Sequence, residues 1–233
     1  MGENELRKTF EKELANLHVH FSEMGMMANE AIYKSVKAFT NHDKELAQQV
    51  IENDILINAR EIELEKKCFE LIALQQPVTS DLRRIVTVMK ASADLERMGD
   101  HAVSVAKSTI RVKGNKRVPK IEAEIAVLSE KVKVMVEGVL KAYIKEDANK
   151  AKSLATAIND IDHKVYEINK QCIDEMKEDP ELVLGATDYM LVASYLKRIG
   201  DYGTNICEWI VYLKTGKVVE LNTSKKQIIN NKI

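Results

Sequence analysis

Leu95-Glu96-Arg97-Met98-Gly99-Asp100-His101 returns further along the chain as Leu196-Lys197-Arg198-Ile199-Gly200-Asp201-Tyr202, an offset of 101. One such match would be weak evidence of duplication. Lys37-Ala38-Phe39, Asp43 and Ala47 also return, as Lys141-Ala142-Tyr143, Asp147 and Ala151, at an offset of 104. Gly114 and Gly216 follow at nearly the first offset. Four landmarks in one order point to a unit that occurs twice, joined around residues 115–120.

Punctuation between the landmarks defines the unit. Pro77, Pro119 and Pro180 are the only prolines in 233 residues, and glycine numbers 9. So few turn residues among many strong helix formers predict long helices with few connections. Asp179-Pro180-Glu181 reads as a helix start, with a capping carboxylate and a proline in the first turn. Gln76-Pro77-Val78-Thr79-Ser80-Asp81 stops one helix and offers caps for the next. Arg111-Val112-Lys113-Gly114 and Leu213-Lys214-Thr215-Gly216 carry the basic and glycine residues of helix C-termini. Asn41-His42-Asp43 and Glu146-Asp147 mark turns without proline. Six helices follow, roughly 4–41, 44–75, 79–112, 120–145, 148–178 and 180–214. In the third, Leu82, Ile85, Met89 and Val103 form one apolar line, and Val88, Leu95, Met98, Ala102 and Val105 a second. Two lines require two packed neighbours. The expected architecture is all-α, a tandem pair of three-helix bundles over 1–114 and 115–216, with a flexible C-terminal tail over 217–233.

Lys+Arg total 35 and Asp+Glu 36, for a net charge of −1 with aromatics at 5%. That balance excludes a general nucleic-acid binder, which needs a basic face to release counterions. No apolar run approaches the roughly 20 residues of a membrane span. The charged start MGENELRKTFEKEL lacks the apolar core of a signal peptide. Cys68, Cys172 and Cys207 stand singly and read as packing thiols in a reducing cytoplasm.

Glu96 and Asp100 sit four residues apart and share one helix face, which continues an apolar line. Like charges there repel and are costly to desolvate, so something must compensate. Asp54 and Asn58 have the same spacing on the second helix. If the two helices pack antiparallel, the four oxygen-bearing side chains could meet as a site for a hard cation or iron. The alternative is a structural pair neutralised by Arg97 or Arg60. No histidine follows a Glu by three residues, so a ferritin-like di-iron centre is not supported. Arg83-Arg84, and the repeat-related Arg97 and Arg198, are candidates for binding an acidic or phosphate-bearing partner. No P-loop, no GxGxxG and no paired nucleophile and base occur.

Gln75-Gln76-Pro77-Val78-Thr79-Ser80-Asp81-Leu82-Arg83, followed by Asp94-Leu95-Glu96-Arg97-Met98-Gly99-Asp100, resembles the PhoU family of phosphate-uptake regulators. The second half adds Lys197-Arg198-Ile199-Gly200-Asp201, Thr204-Asn205-Ile206 and Tyr212-Leu213-Lys214-Thr215-Gly216, so the resemblance spans about residues 6–216. It implies a cytoplasmic, commonly homodimeric, non-enzymatic negative regulator of phosphate uptake. Such a protein would connect a phosphate ABC transporter, through its ATPase subunit, with a sensor histidine kinase. It also implies a divalent metal or an iron or zinc cluster on acidic pairs spaced four apart. Glu96 and Asp100 match that pattern in full, and Asp54 matches while Asn58 replaces an acid. Asp201 matches, but Lys197 stands where its companion acid is expected. Asp162 is read as the remaining acid, with Tyr166 in its partner's position. A metal is therefore expected in the first half only, with Lys197 supplying by an ion pair what a metal would supply in the second. A metal-dependent phosphohydrolase is the alternative activity.

Overall fold

The computed structural model describes residues 3–112 and 116–221. Its helices are α1 (Glu3–Asn41), α2 (Lys44–Gln75), α3 (Thr79–Arg111), α4 (Pro119–Ile144), α5 (Ala148–Ala155), α6 (Ile158–Glu178) and α7 (Val183–Thr215), with one 3₁₀ turn at Pro180–Leu182 before α7. Helices α1, α2 and α3 pack on one another. So do α4, the α5–α6 pair and α7, giving the two three-helix units expected from the repeat. The units join along α3 against α7 and α1 against α4. Leu95, Met98, Leu196 and Ile199 are fully buried and belong to one continuous core that crosses that seam.

The duplication extends to the turns. His42 and Glu146 occupy equivalent positions, and both adopt positive φ, 56° and 48°. Each precedes an aspartate that caps the next helix: Asp43 accepts from the Leu46 N–H and Asp147 from the Lys150 N–H, both at 2.9 Å. Gly216 ends α7 at φ 72°, its N–H donating to the Tyr212 carbonyl at 2.7 Å. That is the left-handed cap the sequence requires. Gly114, read as the matching cap of α3, lies outside the described residues.

Three boundaries differ from the sequence expectation. The fifth helix, expected unbroken over 148–178, opens at Thr156-Ala157 into α5 and α6. There the backbone bonds shorten to i→i+3 and the Thr156 hydroxyl donates to the Ser153 carbonyl at 2.7 Å. A β-branched hydroxyl residue competing for backbone acceptors loosens a helix in this way. Pro180 opens a 3₁₀ turn rather than the first α-helical turn, although Asp179 caps it as expected, accepting from the Glu181 N–H at 3.0 Å. Finally, residues 217–221 of the segment read as a flexible tail lie against the core. Leu221 donates its N–H to Glu208 at 2.7 Å and packs there with Val219. Residues 222–233 lie outside the described residues.

Candidate acidic and ionic sites of the two halves

Gly99 lets α2 approach α3. A Cβ at this position would meet Ile57 Cδ1 at 3.2 Å and Asp54 Oδ1 at 3.3 Å. The close approach sets Asp54 beside the face that carries Glu96 and Asp100. Asn58 donates its amide to Asp54 Oδ2 at 3.3 Å, while Asp54 Oδ1 and Asn58 Oδ1 are buried without a hydrogen-bond partner. Burial, and then Asp100, push the Asp54 carboxyl above its ordinary pKa. Burial also raises Glu96, followed by Asp100, Glu61 and Asp54. Glu61 is raised by burial and by Glu65.

Neither arginine proposed as a neutraliser bonds this set. Arg97 turns to Asp94 at 3.4 Å, and Arg60 to Glu63 at 3.4 Å and Glu23 at 3.6 Å. The uncompensated oxygens match a hard cation in charge and donor type. Among the described residues, however, no three His, Cys, Asp or Glu side chains are gathered around one point as a metal requires.

The second half is built differently. A Cβ on Gly200 would meet Ile158 Cδ1 at 2.9 Å and Ile161 Cδ1 at 3.1 Å. Ile158 and Ile161 therefore stand where Asp54 and Ile57 stand in the first half, at the same offset of 104 as the turns. This register corrects the sequence reading. Asp162 is the counterpart of Asn58, not of Asp54, and Asp54 has an isoleucine as its mate. Tyr166 lies one turn further along and is exposed.

Lys197 fills the space between the remaining acids. Its ammonium lies 3.1 Å from Asp162 and 3.1 Å from Asp201. Burial pulls the Lys197 pKa down, but Asp201 and Asp162 together overcome it and hold the ammonium above its ordinary value. A fixed ammonium between two carboxylates does not fit a metal.

The candidate partner arginines lie around the seam between halves. Arg84 bonds Glu146 across it at 3.1 Å. Arg83 packs on Gly216, where a Cβ would lie 3.2 Å from its guanidinium. Arg97 lies over the Tyr202 ring at 5.9 Å, and its repeat mate Arg198 is exposed beside His101.

Sequence reasoning missed the polar contacts that lock the halves together. Glu122, at the start of α4, is buried. It accepts from Arg117 Nη2 at 2.6 Å, from the Tyr189 hydroxyl at 2.8 Å, and bonds His42 Nε2 at 3.0 Å. Burial disfavours its charge, yet Arg117, Tyr189 and His42 hold it below the usual carboxylate range. At the repeat-equivalent place the acid and the imidazole have changed positions. Glu146 is on the turn, and His18 on α1 shares a hydrogen bond with Tyr143. His18 and Arg84 line a cleft of about 720 Å³ whose arginines are already paired with Asp81 and Glu146. Asp188, buried on α7, accepts from Arg111 Nε at 2.7 Å. Arg117 lies five residues from Glu122, but Tyr189 and His42 lie 67 and 80 residues from it and Arg111 lies 77 from Asp188, separations that no short-range spacing reveals.

The family model described as the PhoU domain matches residues 21–109 and again 125–210. A protein of Clostridium acetobutylicum named phosphate-specific transport system accessory protein PhoU homolog is 40% identical over 217 residues, covering 93% of this chain and 99% of its own. A protein of the same name from Pseudomonas aeruginosa is 31% identical, covering 97% and 95%. The crystal structure of the phosphate transport system regulatory protein PhoU from Streptococcus pneumoniae superposes with a TM-score of 0.85 at 34% identity, over 91% of this chain and 99% of that one. The crystal structure of PhoU from Pseudomonas aeruginosa gives 0.85 at 32% identity, over 89% and 100%. With both halves matched in sequence and the whole bundle pair matched in space, the chain belongs to the PhoU family.

Proposed function

We propose that this protein is a regulatory accessory of a phosphate-specific transport system. In this reading it restrains phosphate uptake and the phosphate-starvation response when phosphate is plentiful. It acts as a cytoplasmic adaptor between the ATPase subunit of the transporter and a sensor histidine kinase. The observation that carries the reading is the tandem helical pair, shared along nearly the full length with relatives named for that system. Two features support it. Among the described residues no helix is long and apolar enough to cross a membrane, so contact with a transporter would run through docking faces. The three cysteines are buried, their thiols pushed up to about 12 by burial, and so are packed groups rather than nucleophiles.

Within this reading, Asp54, Glu96 and Asp100, with Asn58, would hold a divalent cation in the first half. That cation would neutralise carboxylates that Lys107 and Arg97 offset only in part, and so tighten the α2–α3 pair. The functional unit would be a homodimer. Capture of the ATPase subunit and the kinase from membranes by the tagged full chain, in high and in low phosphate, tests the adaptor role. Recovery of both partners, with a ratio that changes with phosphate, is the expected result. Recovery of neither in both conditions contradicts it.

A further inference from the structure

Where α3 and α7 lie side by side, their outer face carries an unusual set of side chains. The His101 ring is stacked between Tyr195 and Tyr202, with centroids 5.8 and 5.7 Å away and planes inclined by 22° and 21°. Arg97 lies over the Tyr202 ring at 5.9 Å. Arg97 and Arg198 are repeat mates, and both are exposed. Lys90, one heptad before Arg97 on α3, is exposed as well.

The buried acids of this seam are already answered, while Asp100 is exposed beside His101. Asp94 is held by Asn205 at 3.3 Å and Arg97 at 3.4 Å, and Asp188 by Arg111. Arg198 and Lys90 have no ion-pair partner among the described residues. A chain of net charge −1 therefore gathers unpaired positive charge beside a ladder of half-buried rings.

We propose that this α3–α7 face docks an acidic segment of a protein partner. Its carboxylates would meet Arg97, Arg198 and Lys90, and its apolar side chains would cover the ring edges of the Tyr195–His101–Tyr202 ladder. Arginine beside aromatic surface is the composition of energetically dominant contacts, and local charge complementarity selects the sign of the partner. Nucleic acid is disfavoured by the geometry. Stacked bases need a free ring face. Here His101 is stacked with both Tyr195 and Tyr202, and Tyr202 also has Arg97 over its ring. The biological role of the docking rests on the adaptor reading; the binding chemistry does not.

The test uses the full chain and a fluorescent peptide of alternating glutamate, leucine and phenylalanine. A control peptide has glutamine for glutamate, and a single-stranded oligonucleotide of similar length is the third probe. Arg198→Glu and Lys90→Glu change exposed residues without ion pairs, so the fold is retained, and thermal melting checks this. The expected result is preference for the acidic peptide, weakened about tenfold by either reversal and by added salt. No binding of the acidic peptide, equal binding by the variants, or preference for the oligonucleotide overturns the proposal. Complementation of cells lacking the gene is scored separately. Full repression by an Arg198→Glu chain that no longer binds the peptide overturns the docking role and leaves the adaptor reading standing.

Discussion

The Lys197 ammonium lies 3.1 Å from the Asp162 carboxylate on the neighbouring helix, where the first half has Glu96 and Asn58 at the equivalent positions. One repeat thus carries its own cation between α6 and α7, and the other presents oxygens alone between α2 and α3. The two copies share the three-helix arrangement and differ in charge at this place.

Removing the internal cation destabilises the second half. Lys197→Met leaves Asp162 and Asp201 facing each other, half-buried and unpaired. Because all three groups retain solvent contact, the expected loss is about 1–2 kcal/mol. Urea unfolding at neutral pH measures it, and an unchanged midpoint would show the pair to be energetically idle.

If the proposed first-half site is real, metal should act on the first half and not on the second. Protein purified without chelator is expected to carry or take up a divalent cation, with the melting temperature rising as it binds. Glu96→Ala/Asp100→Ala abolishes both effects, whereas Lys197→Met leaves them in place. Metal content equal in the wild type and the double variant would remove the first-half site from the account.

Mild acid should stabilise the α2–α3 pair. Asp54, Glu96 and Glu61 are raised in the folded protein, so the folded state holds their protons at pH values where the unfolded chain has lost them. Their penalty is fully present at neutral pH and is relieved as pH falls through the raised values. Glu122 acts in the opposite sense. Its depressed pKa contributes stability above the unfolded value that is lost as pH falls through the folded one. Stability should therefore pass through a maximum on the acid side of neutrality. Asp54→Asn/Glu96→Gln should flatten the rise towards it and raise stability at neutral pH, as read by unfolding midpoints across pH in metal-free buffer.

The seam between halves depends on Glu122. Glu122→Ala leaves the Tyr189 O–H without its acceptor and opens space beside His42, while the exposed Arg117 keeps its bond to the Thr40 carbonyl at 3.3 Å. A loss of about 2–4 kcal/mol is expected from breaking such a buried network. Hydrogen exchange should show faster opening where α4 meets α1 and α7, with α2 less affected.

Much of this was written in local sequence. Asp43, Asp147 and Asp179 announce helix starts, Gly216 announces a stop, and the recurrence of LxRxGD fixes two units. The glycines of that motif, Gly99 and Gly200, both sit where a neighbouring helix comes close. What escaped was register and long-range pairing. The offset shifts from 104 to 101 between the second and third helices of the unit because Ile161 and Gly200 are three residues closer in sequence than Ile57 and Gly99. Asp162 pairs with Asn58 at the offset of 104, one turn from Asp54, because the Gly200 contact with Ile158 and Ile161 sets the register. The break at Thr156-Ala157 escaped because a hydroxyl bonding to its own helix leaves no mark on apolar periodicity. Glu122 and Tyr189 become neighbours only once α4 packs on α7, and Arg111 and Asp188 only once α3 and α7 are laid antiparallel.

The regulatory role is read in living cells. Phosphate uptake and phosphate-starvation gene expression are measured in cells lacking this gene, grown in abundant phosphate, with and without the gene restored. The account predicts high uptake and derepressed expression in the deletion, both returned to the basal level by restoration. Unchanged uptake and unchanged repression in the deletion would contradict it.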